Sequence, residues 1–425
     1  MATAAASRAI RTRTRMRKRR RPMLSPTNRW LLLFMVPLVL AVNREAVRAD
    51  GDLVLARPGE VLFVRAERRR ELDAMAPEER ERLCRAPVRR WPSARAVTTI
   101  RATPGYGGDN RTQRFAMIVM QAAASAFGAG EDKALWATKR LLERWAKGRA
   151  MTKLSDPDDA TSYYVVERTL LPTIVGYWLT VRGNPRVTAK TRLRIERWLE
   201  GLVERSRQRR LELSSDEVSA RNNHAYLAAA VLMAWGALTG DPGLVETAVG
   251  IYRRAIADMR ADGSFPLETM RGARALWYQR HAVASLVTIA EMAAVQGIDL
   301  YGYRVDGRDI HRAVGFLLDA VADPRKVWRY AEANINPGPA RDYRRQDLGF
   351  LRRRAHGRHY MAWAEIYMAR FPEREESRRL ARLLAEAQPD FRPMIDEYSG
   401  GNTSCFFYRP PARDAAARIS GSSTR

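Results

Sequence analysis

The chain has 425 residues, of which 46% are hydrophobic, and it carries 74 Lys and Arg against 47 Asp and Glu. This much apolar sequence supplies the core of one large domain or two ordinary ones, and it excludes disorder of the chain as a whole. The net charge of +27 favours an anionic partner (nucleic acid, acidic lipid or acidic polysaccharide), although arginine used as a general solubiliser would also raise it.

The first 49 residues have the pattern of an export signal. A basic run at residues 17–21 precedes an apolar run at residues 30–42, and a small-residue cleavage sequence ends at Ala49. The apolar run is too short to span a bilayer comfortably. We therefore predict a periplasmic protein cleaved after Ala49 and not stably inserted in the membrane, with an uncleaved anchor as the alternative. Removing residues 1–49 (12 basic residues, one acid) leaves a net charge of +16, and export makes nucleic acid the least favoured partner.

Residues 50–111 mix polar residues, prolines and a glycine-rich stretch that begins at Pro104, which predicts an extended lead-in packed over the main body. This region holds Cys84, and the second cysteine of the chain, Cys405, lies near its C-terminus. Their positions fit no zinc motif. In an oxidising compartment the two cysteines could pair; two unpaired thiols are the alternative.

From residue 112 onward, apolar residues recur at intervals of three and four, which predicts about ten helices of roughly 15–25 residues up to residue 390. Short connections separate them. In one of these, Gly240 ends a helix, and Asp241 and Pro242 suit the N-cap and first position of the next.

Some of these helices are apolar all round and others are amphipathic and heavily charged. This alternation predicts an all-α fold, an incomplete (α/α) toroid of antiparallel helix hairpins in two concentric layers. An α-solenoid would give a similar pattern, but the residues themselves show no repeat. We expect this domain to cover residues 112–412 and a disordered tail to follow at residues 413–425.

Two motifs carry the candidate chemistry. The first is Asn222-Asn223-His224, at the head of an apolar helix. An N-cap role explains one asparagine and leaves the second asparagine and the histidine unexplained. Because a helix N-terminus also favours a bound anion, this motif suits a carboxylate.

The second motif contains Arg271, Arg274, Tyr278 and His281, which would share one face of a continuous helix. Such a stripe makes a poor core face and suits a cleft for a polyanion. Trp277 beside it favours a wall on which a sugar ring stacks. The alternative is a solvated basic face with an incidental histidine.

With these motifs the chain resembles the alginate lyase family of periplasmic α/α-toroid enzymes, which cleave mannuronate-rich polysaccharides by β-elimination. The resemblance covers most of the chain after residue 49. The matching segments are Asn222–Tyr226, Gly263–Glu268 with the following Arg271, Arg274 and Tyr278, Trp363–Tyr367, and Gly400–Thr403.

The resemblance implies that Asn223 and His224 neutralise the substrate carboxylate, together with Arg274. The family places its catalytic tyrosine seven residues after its arginine, and here that position is His281. We therefore predict that His281, with an ordinary pKa near ~6.5, takes the tyrosine's role or shares it with Tyr278 as the acid. The residues expected to bind substrate are Asn222, Tyr226, Arg271, Trp277 and Trp363.

The predicted function is therefore β-elimination on an acidic uronate polymer, with no metal or cofactor implied. Two alternatives stay open. A glycoside hydrolase on the same toroid would need two carboxylates across the bond, and Glu268 and Asp262 are the nearest candidates. A non-catalytic protein that binds an exported acidic polysaccharide is the other.

Overall fold

A computed structural model describes residues 53–101, 110–335 and 342–410. The predicted export signal, most of the glycine-rich stretch after Pro104 and the predicted tail lie outside these residues, so export stays a prediction. The described residues belong to one compact unit. Within the described ranges, no helix has both the length and the apolar character needed to cross a membrane.

The described part of the chain is built from fifteen α-helices: α1 Arg65–Ala74, α2 Pro77–Cys84, α3 Asn110–Gly128, α4 Asp132–Lys147, α5 Ala160–Thr180, α6 Ala189–Glu212, α7 Asn223–Thr239, α8 Pro242–Asp258, α9 Pro266–Thr269, α10 Ala275–Val295, α11 Ile310–Ala322, α12 Arg325–Ala331, α13 Trp363–Arg370, α14 Glu375–Ala387 and α15 Thr403–Phe407. Short 3-10 helices lie at Val218–Ala220, Gly272–Arg274, Gly349–Leu351 and Glu397–Ser399. Two-residue strands form a parallel pair, β1 Thr99–Ile100 with β2 Lys153–Leu154, and an antiparallel pair, β3 Ile395–Asp396 with β4 Gly401–Asn402.

The long helices form two layers. α5, α7 and α10 bury residues all round, which their mostly apolar sequences allow, and neighbours in the series α3, α5, α7 and α10 pack on one another. Each of these four also packs against the helix that follows it, α4, α6, α8 or α11. In this second set α4 and α11 are markedly amphipathic and bury one face. The prediction of an all-α fold with helix hairpins in two layers is confirmed.

The turn between α7 and α8 forms as its sequence predicts. Gly240 ends α7 with a left-handed backbone, φ +80°, which glycine adopts without a steric penalty. Asp241 then caps α8, its carboxylate accepting from the amide of Leu244 at 3.2 Å, and Pro242 is the first helical residue.

The prediction of an extended lead-in is wrong, because α1 and α2 lie within it. Ion pairs one turn apart support α1, among them Arg69 with Asp73, and Pro77 begins α2, where proline is favoured rather than disruptive. Leu62 and Leu72 of this region are fully buried in the core. The region therefore packs on the main body as predicted, but in helical form.

A disulfide joins Cys84 at the end of α2 to Cys405 in α15. Both cysteines are buried, and the guanidinium of Arg68 donates to the carbonyl oxygen of Cys405 at 2.8 and 3.2 Å. The alternative of two unpaired thiols is therefore wrong in this structure. The bond closes a loop across 321 residues of sequence.

Replacing both Cys84 and Cys405 by alanine is expected to lower the free energy of unfolding by about 2–5 kcal/mol, because the crosslink restricts the unfolded chain. Denaturant unfolding of the oxidised protein and of the double variant measures the difference. A reductant should shift the wild-type midpoint to that of the variant and leave the variant unchanged. Equal midpoints without reductant would contradict this prediction.

Candidate active site

The first motif forms the N-terminus of α7. The side chain of Asn222 caps the helix by accepting from the amide of His224 at 3.0 Å. Asn223 is the first helical residue, and its own amide donates to the carboxylate of Glu268 at 2.6 Å. Asn222 therefore has a local structural role, and Glu268 fixes the backbone of Asn223.

The Asn223 side chain has no hydrogen-bond partner among the described residues. The residue is 1% exposed, yet both the oxygen and the nitrogen of its amide lack a partner. A buried polar group left unsatisfied is costly, and in native proteins such a group calls for an explanation such as a ligand or water. Its position at a helix N-terminus favours an anion.

His224 lies beside this amide and is partly exposed. Its ring stacks on the ring of Tyr164 of α5, with the centroids 4.4 Å apart. Burial lowers its pKa to about 3, and the charges of Arg210 and Arg271 contribute in the same direction. The imidazole is therefore neutral near pH 7.

The second motif is not one helical stripe, and that prediction is wrong. Arg271 and Arg274 precede α10, which begins at Ala275. The reason is Gly272, whose φ of +57° makes a turn, and a Cβ built there would lie 2.5 Å from the side-chain oxygen of Asn334. This turn carries Arg271 over the ring of Tyr278, with the guanidinium carbon 3.8 Å from the ring centroid.

The two arginines of this motif have different surroundings. Arg271 is buried, and no carboxylate lies within ion-pair distance of it in the described part of the chain. Arg274 is half-buried and pairs with Asp347, with Nε 3.7 Å from the carboxylate oxygen, while its guanidinium lies over Trp277. Tyr278 follows Arg271 by seven residues, so the family's spacing of arginine and tyrosine also fits Arg271 and Tyr278.

His281 is buried and surrounded by tyrosines. Its Nδ1 forms a hydrogen bond of 3.1 Å with the hydroxyl of Tyr164, which is itself hydrogen-bonded to the hydroxyl of Tyr398. The rings of Tyr398 and Tyr278 lie 4.6 and 5.6 Å from its own. Burial lowers the pKa of His281 well below its usual range, and the charges of Arg280 and other arginines add to this effect. The expectation of an ordinary pKa is therefore wrong.

Two buried arginines lie near these rings. Arg280 is fully buried, with its guanidinium carbon 5.4 Å from the ring centroid of Tyr398 and its Nη1 3.9 Å from a carboxylate oxygen of Asp396. Arg168 is also buried; although burial opposes its charge, Glu397 and neighbouring tyrosines raise its pKa. Burial lowers the pKa of Arg280, but a guanidinium keeps its charge in proteins near pH 7, so the centre is rich in positive charge.

Sequence reasoning missed Tyr164, Arg168 and Tyr398. Arg168 follows Tyr164 by one turn on α5, a helix that is otherwise mostly apolar, and a charge in such a helix was the available signal. Tyr398 lies in a 3-10 helix 234 residues away from Tyr164, where no local pattern indicates a site. Burial raises its pKa to about 12, against the opposing effect of Arg168 and Arg280, so it is a protonated phenol near pH 7.

Two of the predicted substrate-binding residues are buried in this structure. Trp363 is 0% exposed and lies in the hydrophobic core, and its contact with substrate stays a prediction. Tyr226 is buried; its ring packs on Phe265 and its hydroxyl donates to the carbonyl of Arg221 at 2.8 Å, which fixes the start of α7. Trp277 is partly exposed, edge-on to the rings of Phe350 and Tyr360.

The two carboxylates of the hydrolase alternative are held by different groups. Burial raises the pKa of Glu268 to about 7, opposed by the charge of Arg271 and the amide of Asn223. Asp262 accepts from Tyr330 at 2.6 Å and pairs with Arg329 at 3.0 Å. Each of the two carboxylates is thus bound by its own set of neighbouring groups. A glycoside hydrolase instead needs two carboxyl groups that face each other across the glycosidic bond.

Comparison with known proteins gives consistent matches. The sequence model of the family described as alginate lyase matches residues 96–327. The chain is 29% identical over 212 residues to a polysaccharide lyase of Stenotrophomonas maltophilia, covering 50% of this chain and 61% of that protein. It is 29% identical over 175 residues to an alginate lyase of Pseudomonas putida, covering 40% of this chain and 46% of that one. The matches thus span about half to three fifths of the length of these relatives.

Solved structures show the same fold. Alginate lyase A1-III from Sphingomonas species A1 superposes with a TM-score of 0.68 at 24% identity, covering 84% of this chain and 98% of that one. An alginate lyase from Bacteroides ovatus gives a TM-score of 0.56 at 15% identity, covering 83% and 100%. The α/α toroid is therefore confirmed.

Proposed function

This chain belongs to the alginate lyase family, and from that premise we propose that it cleaves an acidic uronate polymer by β-elimination, leaving unsaturated uronate ends. The observation that carries the proposal is the buried, unsatisfied amide of Asn223 at the N-terminus of α7, in the same part of the fold as Arg271, which has no carboxylate within ion-pair distance among the described residues. A uronate carboxylate supplies the acceptor oxygens and the negative charge that this place lacks.

The first requirement of β-elimination is neutralisation of the uronate carboxylate, so that the proton on C5 becomes acidic. The Asn223 amide donates one hydrogen bond, the neutral ring of His224 offers a second polar contact, and Arg271 supplies positive charge. These groups are held in place before substrate binds, Asn223 by Glu268 and Arg271 by the turn at Gly272. Groups fixed in this way stabilise the enolate that develops as the proton leaves.

The second requirement is proton transfer, and the electrostatics favour Tyr278 over His281. The surrounding arginines and burial oppose a second positive charge, so His281 and His224 are poor proton acceptors. The same cations stabilise a negative phenolate oxygen, and Arg271 lies directly over the Tyr278 ring. The Tyr278 phenolate takes the C5 proton and returns it to O4 as the C4–O4 bond breaks, so no proton is gained or lost overall.

His281 then has a positioning role. Its ring lies between Tyr278 and the hydrogen-bonded pair Tyr164 and Tyr398, and its Nδ1 is engaged by Tyr164. Because the imidazole is neutral, it can hold the neighbouring phenol groups by hydrogen bonds without adding charge.

The experiment is to incubate the protein from residue 50 onward with polymannuronate, polyguluronate and polyglucuronate and to follow the ultraviolet absorbance of unsaturated uronates. We expect absorbance to rise with at least one of these polymers and product size to fall in step. New reducing ends without absorbance would favour the hydrolase, and binding without turnover would favour the non-catalytic binder. Either result would overturn the proposal.

A further inference from the structure

We propose that a groove between α4 and α6 is a second, non-catalytic binding site for the same acidic polysaccharide. The choice of polymer rests on the proposed function; the site itself rests on the groove. Five basic residues line a cavity of about 510 Å³, and the proposal rests on four of them, Arg149, Lys190, Arg197 and Arg205. None of the residues that line it is acidic.

The charges of these four side chains are uncompensated. The fifth basic residue of the lining, Arg194, differs from them because it pairs with Glu143 at 3.0 Å. In the described part of the chain, no carboxylate lies within ion-pair distance of the four, and only Arg205 uses its guanidinium otherwise, donating to the carbonyl of Met151 at 3.2 Å. Uncompensated cations around one concave surface attract an anion.

The floor of the groove is apolar and held in place. Trp198 is fixed by its indole nitrogen, which donates to the carbonyl of Ala150 at 2.8 Å, and Leu193 is 49% exposed. An apolar floor with a cationic rim fits a chain of pyranose rings, whose faces are apolar and whose carboxylates point sideways. A small inorganic anion would leave the floor uncovered, so the shape favours a polymer.

The groove runs toward the candidate active site. Its cations on α6, from Lys190 to Arg205, span roughly 22 Å along the helix, which accommodates several sugar rings. Directly after it, Ser206 donates to Glu167 of α5 at 2.6 Å, and Arg210 lies close enough to His224 to contribute to its lowered pKa. A long polymer can therefore occupy the groove while another part of the same chain reaches Asn223. Such a second contact raises the local concentration of substrate.

The test reverses two exposed charges with the double variant Lys190→Glu and Arg197→Glu. Affinity electrophoresis in gels containing long polymannuronate should show about tenfold weaker retention, since two favourable surface contacts become repulsive. Turnover of a polymannuronate tetramer should be unchanged, because a tetramer at the active site leaves the groove empty. The matched control is Arg70→Glu with Lys133→Glu, which changes net charge equally at exposed positions on α1 and α4 outside the groove.

Unchanged retention of the Lys190/Arg197 variant would overturn the proposal, and so would an equal loss in the control, which would indicate unspecific charge attraction. A third arm measures sedimentation with vesicles containing anionic phosphatidylglycerol. If the Lys190/Arg197 variant loses only vesicle binding and keeps its retention by the polymer, the groove binds a membrane surface, and the proposal is overturned as well. The electrophoresis is run with proteins that also carry Tyr278→Phe, so that the polymer in the gel is not cleaved. Because retention is then measured without turnover, an inactive wild-type protein would contradict the proposed function and leave this test intact.

Discussion

Tyr278→Phe is expected to lower the turnover of the preferred polyuronate by about a hundred- to ten-thousand-fold, the range that a positioned proton-transfer group supplies. The phenol oxygen is the group that moves the proton in the proposed reaction, and phenylalanine keeps the ring under the guanidinium of Arg271. Binding should therefore change little. Initial rates of absorbance gain, measured across substrate concentrations, separate the effect on kcat from that on KM.

The matched control for this variant is Tyr252→Phe. Tyr252 is fully buried on α8, and its hydroxyl donates to the carbonyl of Leu300 at 2.8 Å. This hydrogen bond is not part of the polar cluster of the candidate site. Its loss should cost about 1 kcal/mol of stability and no activity. His281→Asn supplies the discriminating comparison, since a positioning residue should cost less than Tyr278. A larger loss for His281→Asn than for Tyr278→Phe would restore His281 as the proton acceptor.

Arg271→Met is expected to lower kcat/KM by about a hundred- to a thousand-fold, because it removes the cation that lies over the Tyr278 ring and that neutralises the substrate carboxylate in the proposed reaction. Methionine fills a similar volume, so the turn at Gly272 should keep its form. The loss should appear in kcat as well as in KM, since the charge acts most strongly on the developing enolate.

Arg274→Met is the comparison that decides between the two arginines. Arg274 is half-exposed and already paired with Asp347, so its removal should cost no more than about tenfold. Circular dichroism and thermal unfolding of both variants check that each is folded. If Arg274→Met loses more activity than Arg271→Met, the assignment based on the sequence motif stands and the one based on the structure is wrong.

The parts of this fold that local chemistry controls could be predicted from the sequence. The all-apolar α7, its cap by Asn222 and the turn through Gly240 to Pro242 each depend on residues within a few positions of one another. The two-layer arrangement could be predicted for the same reason, because the apolar or amphipathic composition of each helix is visible in its own residues. The prediction of one continuous helix failed at Arg271. The spacing of the polar residues there suits a helix, but Gly272 adopts a left-handed backbone conformation that interrupts the helix.

The site itself depends on contacts that local pattern does not contain. Tyr164 meets His281 across 117 residues and Tyr398 across 234. Those contacts also set the electrostatics: the lowered pKa of His281 follows from burial and from arginines on other turns and other helices. The sequence motifs identified segments that meet at the candidate site, but packing determines which arginine lies against which ring.

Mass spectrometry of the products formed in water enriched in oxygen-18 distinguishes elimination from hydrolysis. Elimination adds no water across the broken bond, so the two fragments together should have the mass of the starting chain, with no oxygen-18 at the new reducing end. Hydrolysis adds one water and places its oxygen there. We expect fragments whose masses sum to that of the starting chain from the wild-type protein, and almost no fragments from Tyr278→Phe. Fragments whose masses together exceed that of the starting chain by one water would show hydrolysis and rule out the proposed elimination.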